Sequence, residues 1–175
     1  MVYDFIPDLL LDKIVNRNEF LGVLAFDKWI GNADARQAIF FRARLQQWST
    51  GRDDPPREVP ARRLGFVAHM MDHGYVFNGP HWTFSDSPLQ GLYFRPSVYQ
   101  NVTSFDDFQP WLERIVHFPE EVVDEARKQI PPTWLAEDES IIDGLLMKLM
   151  SRRKRVPELI RDSQRGRVNP FPAWK

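Results

Sequence analysis

The sequence predicts an α+β fold, mainly helical, with one small β-hairpin set among the helices. Apolar residues recur at helical spacing in several stretches, as at Phe20, Leu21, Leu24 and Ala25, and again at Ile141, Ile142, Leu145, Leu146 and Leu149. Two other runs, residues 38–45 and 64–71, are instead rich in strand-forming side chains. An aspartate flanks each run, Asp34 ahead of the first and Asp72 directly after the second. A sheet pair with a carboxylate at each outer end is a layout suited to holding metal and phosphate.

In chain order, residues 7–15 (PDLLLDKIV) read as a short helix opened by Pro7, with Leu9, Leu10 and Ile14 as its apolar face. Asn16 or Asn18 is expected to cap a second helix over residues 19–30, which stops at Gly31-Asn32. Asp34 then falls in a short polar turn, and Ile39, Phe40 and Phe41 carry the chain into the first strand. Residues 48–63 are dense in proline, charge and small side chains and read as a surface loop. Loop-closure entropy grows only logarithmically, so this insertion lengthens the hairpin without preventing Asp34 and Asp72 from meeting. The second strand closes at Asp72-His73-Gly74.

Residues 78–96 mix turn formers with aromatics and suggest an irregular segment in which Trp82, Phe84, Leu92 and Tyr93 form a satellite core. Ser104 is an N-cap for a helix carrying Phe108, Trp111, Leu112 and Ile115. Pro119 opens a helix through about residue 129, Pro131-Pro132 ends it, and further helices cover residues 138–153 and 156–161. The terminal NPFPAW is too rich in proline to continue the last of these.

At 175 residues, with 43% hydrophobic content, six Trp and thirteen Phe, the chain is sized for one domain, residues 1–168, followed by a tail, 169–175. The absence of cysteine excludes disulfides and thiolate chemistry and favours a reducing cytoplasm. No run is long enough to span a bilayer, and the N-terminal residues lack the order of a signal peptide. The net charge is −1, yet residues 151–175 hold eight Lys/Arg against two Asp/Glu. Such a segment can meet an acidic partner, RNA or another part of a complex. The plainer expectation is a solvated helix face with a loose end, and direct nucleic-acid binding is not expected. His69 and His73 are four apart, but on a strand that is roughly 13 Å, too far for one zinc ion.

Helix, aspartate turn, strand, long loop, strand, aspartate-x-glycine is the order of parts in the catalytic half of a protein-kinase-type lobe. The wording is more specific. WIGNADARQAIFF followed by MMDHGYVFNGPHW resembles the HipA-like kinase family, whose catalytic loop reads N-x-D-R or N-x-D-G and whose metal aspartate follows a strand. Most of the chain is covered, with these two motifs carrying nearly all the weight.

The resemblance implies a kinase-like C-terminal lobe using ATP and Mg²⁺. Asp34 matches the catalytic aspartate, Asn32 the asparagine just before it, and Asp72 the magnesium aspartate. Where much of the family has an asparagine five residues after the catalytic aspartate, this chain has Ile39, and Gln37 is the nearby amide that can face the cofactor instead. Asp27 stands five residues before Asn32, a spacing that makes it a rival for the catalytic role, ranked below Asp34. Neither a glycine-rich phosphate loop nor a strand lysine precedes Asp34. The expectation is therefore an ATP-clamping lobe supplied by an upstream segment or another polypeptide, acting on a protein substrate. A non-catalytic interaction module of the same fold, using the basic tail, is the alternative.

Overall fold

The structure, a computed structural model, describes residues 1–44, 64–135 and 138–175. It is α+β, about half helical, with a three-stranded antiparallel sheet. The expected surface loop at residues 48–63 lies outside the described residues.

Strand β1 (Val2–Tyr3) pairs with β2 (Gln37–Arg44), which pairs with β3 (Leu64–Met71), in the order β1-β2-β3. The expected hairpin is thus the larger part of a sheet to which the N-terminal residues add an edge. Gln37 lies opposite Met71 and Arg44 opposite Leu64. Alternation turns Ala38 and Phe40 into the core, where Phe40 is fully buried.

Helix α2 (Glu19–Ile30) is the central element of that core, burying Phe20, Leu21, Leu24, Ala25 and Trp29. Its bounds are those expected from apolar spacing. Gly31 ends it with φ +64°, a left-handed conformation that glycine adopts without steric cost. Asn32 N–H returns to the Asp27 carbonyl at 3.0 Å, satisfying an otherwise open helix end.

Several expectations are corrected by long-range packing. Helix α1 covers only Asp8–Leu11, because residues 13–15 leave it to run along β3, where Val15 N–H bonds the Phe66 carbonyl at 2.8 Å. Neither Asn16 nor Asn18 caps α2 with its side chain. The helix expected from Ser104 is split: a 3₁₀ turn, Phe105–Phe108, carries the Ser104 capping box, and α3 (Trp111–Val116) starts after Pro110. Phe84 and Tyr93 belong to the main core rather than to a satellite.

Helices α4 (Glu120–Lys128), α5 (Pro132–Leu135), α6 (Glu139–Arg152) and α7 (Val156–Asp162) follow. On α6, Leu145 and Leu149 are buried, while Ile141 is exposed.

The C-terminal segment is not a loose end. Phe171 is fully buried among Tyr99, Phe108 and Trp174, and Trp174 stacks edge-on against Phe105. A few of the basic side chains nearby are tied into the fold. Arg152 is buried, donates from Nε to the Lys28 carbonyl at 2.9 Å, and holds Nη2 2.6 Å from Asp86. Arg153 donates to the Phe118 carbonyl, and Arg155 reaches Asp86. The other basic side chains of this stretch, from Lys154 to Lys175, stay exposed, as expected of a solvated basic face.

Candidate functional site

The register of β2 on β3 places both flanking aspartates at one end of the sheet. Asp34 precedes the Gln37 end of β2, and Asp72 follows Met71, the residue opposite Gln37. A shallow concave surface of about 730 Å³ beside Met1, Arg44 and Leu64 lies at the other end. The aspartates therefore stand on their own surface, away from that depression.

Asn32 is fully buried. Its Oδ1 accepts the Asp34 N–H at 3.2 Å, an Asx turn that shapes the loop, and its Nδ2 donates to Asp27 Oδ1 at 3.3 Å. Asp34 is half-buried, with Oδ1 accepting the Ala35 N–H at 2.8 Å. Its other oxygen makes no hydrogen bond within the described residues. Asn32 thus orients the loop from beneath, and Asp34 carries the accessible carboxylate.

Asp72 is exposed and has φ +66°, a left-handed conformation that aspartate tolerates better than most residues. Its Oδ1 accepts the Gly74 N–H at 3.0 Å, and its Oδ2 faces Gln37 Nε2 at 3.4 Å. The two expected cofactor-facing residues, Gln37 and Asp72, are brought together across the strand pair. Ile39 sits half-buried within β2 opposite His69 and has no oxygen to offer.

Behind these turns lies a pair that the sequence reading did not foresee. Asp27 and Arg36 are both essentially inaccessible, at 0% and 1% exposure. Arg36 donates from Nε to Asp27 Oδ2 at 2.8 Å and from Nη2 to Asp27 Oδ1. Burial pushes the Asp27 carboxyl above its usual range, opposed by the Arg36 hydrogen bonds and charge. That burial removes Asp27 as a rival for contact with substrate. The one sequence signal was an aspartate beside Lys28 on the last turn of a mostly apolar helix, nine residues before an arginine.

No protein-family model, curated protein or solved structure matches this chain. Function is accordingly read from the site itself.

The segment after Asp72 is unusual in its backbone. Phe77, Asn78, Trp82 and Phe84 all have positive φ, at 58°, 68°, 49° and 51°. For bulky aromatics this costs on the order of 1–3 kcal/mol each and persists only where packing enforces it. Here Phe77 packs on Phe84, and Phe84 is buried. Two backbone bonds tie the segment to the Asp34 loop: Ala33 N–H to the Tyr75 carbonyl at 3.0 Å, and Asn78 N–H to the Gly31 carbonyl at 2.9 Å. Strain of this kind gathers at functional sites.

Among the described residues, no three His, Cys, Asp or Glu side chains gather to hold a metal ion. No helix among them is long and apolar enough to cross a membrane.

Proposed function

We propose that this chain is the helical, catalytic lobe of a HipA-like serine/threonine kinase, working with an ATP-clamping lobe supplied by an upstream segment or a partner chain. The observation that carries this reading is the convergence of Asp34, Asp72 and Gln37 at one end of a single strand pair. Turn aspartates are common, and the two flanks of an antiparallel hairpin share its open end in any case; the added support is that Gln37 and Asp72 face each other there, Nε2 to Oδ2 at 3.4 Å.

The donor chemistry fits Mg²⁺. That ion takes oxygen ligands, commonly one or two protein carboxylates together with substrate phosphates and water. Asp72 offers an exposed carboxylate, and the neighbouring Gln37 amide can present its own oxygen by a simple flip. Bound Mg²⁺–ATP supplies the phosphoryl group. The role of Asp34 is to accept a hydrogen bond from the substrate hydroxyl at the oxygen not held by Ala35, orienting it for attack. Asn32 fixes the loop that presents this oxygen.

Magnesium-dependent ATP binding, measured by calorimetry on wild type and Asp72→Asn, tests the assignment. Binding that requires Mg²⁺ and is lost in Asp72→Asn is the expected result, with the upstream lobe added where the chain alone lacks affinity. Wild-type binding that survives Asp72→Asn unchanged removes the metal assignment. Ile39 favours a second reading, a non-catalytic module of the same fold, since it replaces an oxygen ligand with a hydrocarbon. In that case no Mg²⁺-dependent binding appears even with the upstream lobe present.

A further inference from the structure

We propose that Asp27 and Arg36 form a positioning pair that sets the Asp34 loop and the Asp72 turn in one fixed mutual arrangement. This rests on the reading of Asp34 and Asp72 as the working carboxylates.

Arg36 uses the full width of its guanidinium. Nε and Nη2 are committed to Asp27, while Nη1 donates to the Met71 carbonyl at 2.8 Å and to the Asp72 carbonyl at 2.9 Å. Its backbone N–H is held by the Leu92 carbonyl at 3.2 Å. On the other side, Asp27 Oδ1 receives Asn32 Nδ2, and Asn32 Oδ1 holds the Asp34 N–H. One unbroken chain of hydrogen bonds therefore runs from the backbone of Asp34 through Asn32, Asp27 and Arg36 to the backbone of Asp72. A planar five-donor fork is the side chain suited to bridging a carboxylate and two carbonyls at once.

A wish for stability does not account for this arrangement. A fully buried ion pair commonly does no better than an apolar pair of similar volume, because desolvation offsets the attraction. The pair instead bonds the two turns that bear the candidate site. Gly91 makes room for it: a Cβ there would lie 2.4 Å from the Asp27 Cβ. Supporting groups of this kind typically change metal affinity or activity 10–100-fold when removed, without touching the ligand themselves.

The test combines ¹⁵N backbone order parameters with Mn²⁺–ATP binding followed by electron paramagnetic resonance. Lysine at position 36 can still pair with Asp27 but cannot also span both carbonyls. In Arg36→Lys the amides of residues 72–74 should fall from rigid values near 0.85 to below about 0.6, with strands β2 and β3 unchanged. Because Asp27→Asn strands a buried guanidinium and threatens folding, Asn32→Ala is the variant for the other arm. It should loosen residues 33–35 alone. Mn²⁺–ATP affinity should fall on the order of tenfold or more in Arg36→Lys.

Two turns as rigid as in wild type in both variants, or a uniform loosening of the whole sheet, overturn the proposal. A wild-type protein, upstream lobe included, that does not bind Mn²⁺–ATP defeats the metal reading, while the order parameters still decide whether Asp27 and Arg36 position the turns.

Discussion

Asn16 and Ala68 exchange two hydrogen bonds across 52 residues of sequence: Asn16 Nδ2 donates to the Ala68 carbonyl at 2.8 Å, and Asn16 Oδ1 accepts the Ala68 N–H at 2.9 Å. A primary amide has the same donor and acceptor pair as a peptide unit, so Asn16 serves as one rung of a strand. With Lys13 and Val15 bonding Phe66, it closes the outer edge of β3, which otherwise invites pairing with another chain. Asn16→Ala leaves both Ala68 groups unpaired in a buried setting. It should cost about 2 kcal/mol in urea unfolding, whereas a surface helix cap would lose roughly half that.

On the proposed kinase reading, and with an ATP-clamping lobe supplied, Asp34→Ala should lower phosphoryl transfer by roughly 10²–10⁴-fold, the range for loss of a positioned acid–base group. Asp72→Ala should abolish Mg²⁺-dependent nucleotide binding. Steady-state kinetics separates the two: Asp34→Ala acts on kcat, and Asp72→Ala on both constants. Transfer retained in both variants eliminates the catalytic assignment.

Lys28 is 1% exposed, and its Nζ donates to the Ser87 and Pro88 carbonyls at 3.0 and 3.1 Å. Burial, helped by the nearby charge of Arg152, drives its ammonium down to about 8 from 10.5, against the pull of Asp86, Asp162 and Asp27. The folded value lies below the unfolded one, so the penalty is fully present below about pH 8 and is relieved as pH rises toward 10.5. Stability should therefore increase through that window by an amount on the order of 3 kcal/mol. Lys28→Met removes the increase. Denaturant midpoints of the two proteins at pH 7.5 and 9.5 check this, and their difference cancels the contribution of every other titrating group.

Gly91 has φ +73° and backs onto Asp27. Gly91→Ala combines a left-handed backbone with a collision against a carboxylate that cannot leave its arginine. A loss of at least about 2 kcal/mol is expected from these two effects together. Urea unfolding reads it directly, and a neutral result means that the Asp27 backbone yields more easily than its burial suggests.

Phe171 lies in the segment expected to be a tail, yet it is fully buried. Phe171→Ala should destabilise the fold by about 3 kcal/mol, as for other buried phenylalanines. A change below about 0.5 kcal/mol, typical of a surface site, would restore the picture of a loose C-terminus.

Local chemistry was legible in the sequence wherever it decided the outcome. The apolar spacing of Phe20, Leu21, Leu24 and Ala25 predicted α2, and Gly31-Asn32 predicted its end, because helix periodicity and the left-handed stop involve only neighbouring residues. The two strands and the aspartates flanking them were read for the same reason.

The buried polar contacts were not legible. Asp27 reads only as a rival catalytic aspartate and Arg152 only as part of a basic segment, and the burial of Lys28 and Arg36 is not anticipated, since a charged side chain is rarely buried without a partner and the sequence does not name the partner. The pairing of Asp27 with Arg36, the rung that Asn16 makes on Ala68, and the docking of Phe171 on Tyr99 and Phe108 depend on which distant segments meet. The sequence by itself determined helix α2 and its end, strands β2 and β3, and the two turns that carry Asp34 and Asp72. Only the tertiary structure decided what holds those turns, because removing a charge from water is tolerable only where the fold brings its partner within hydrogen-bonding distance.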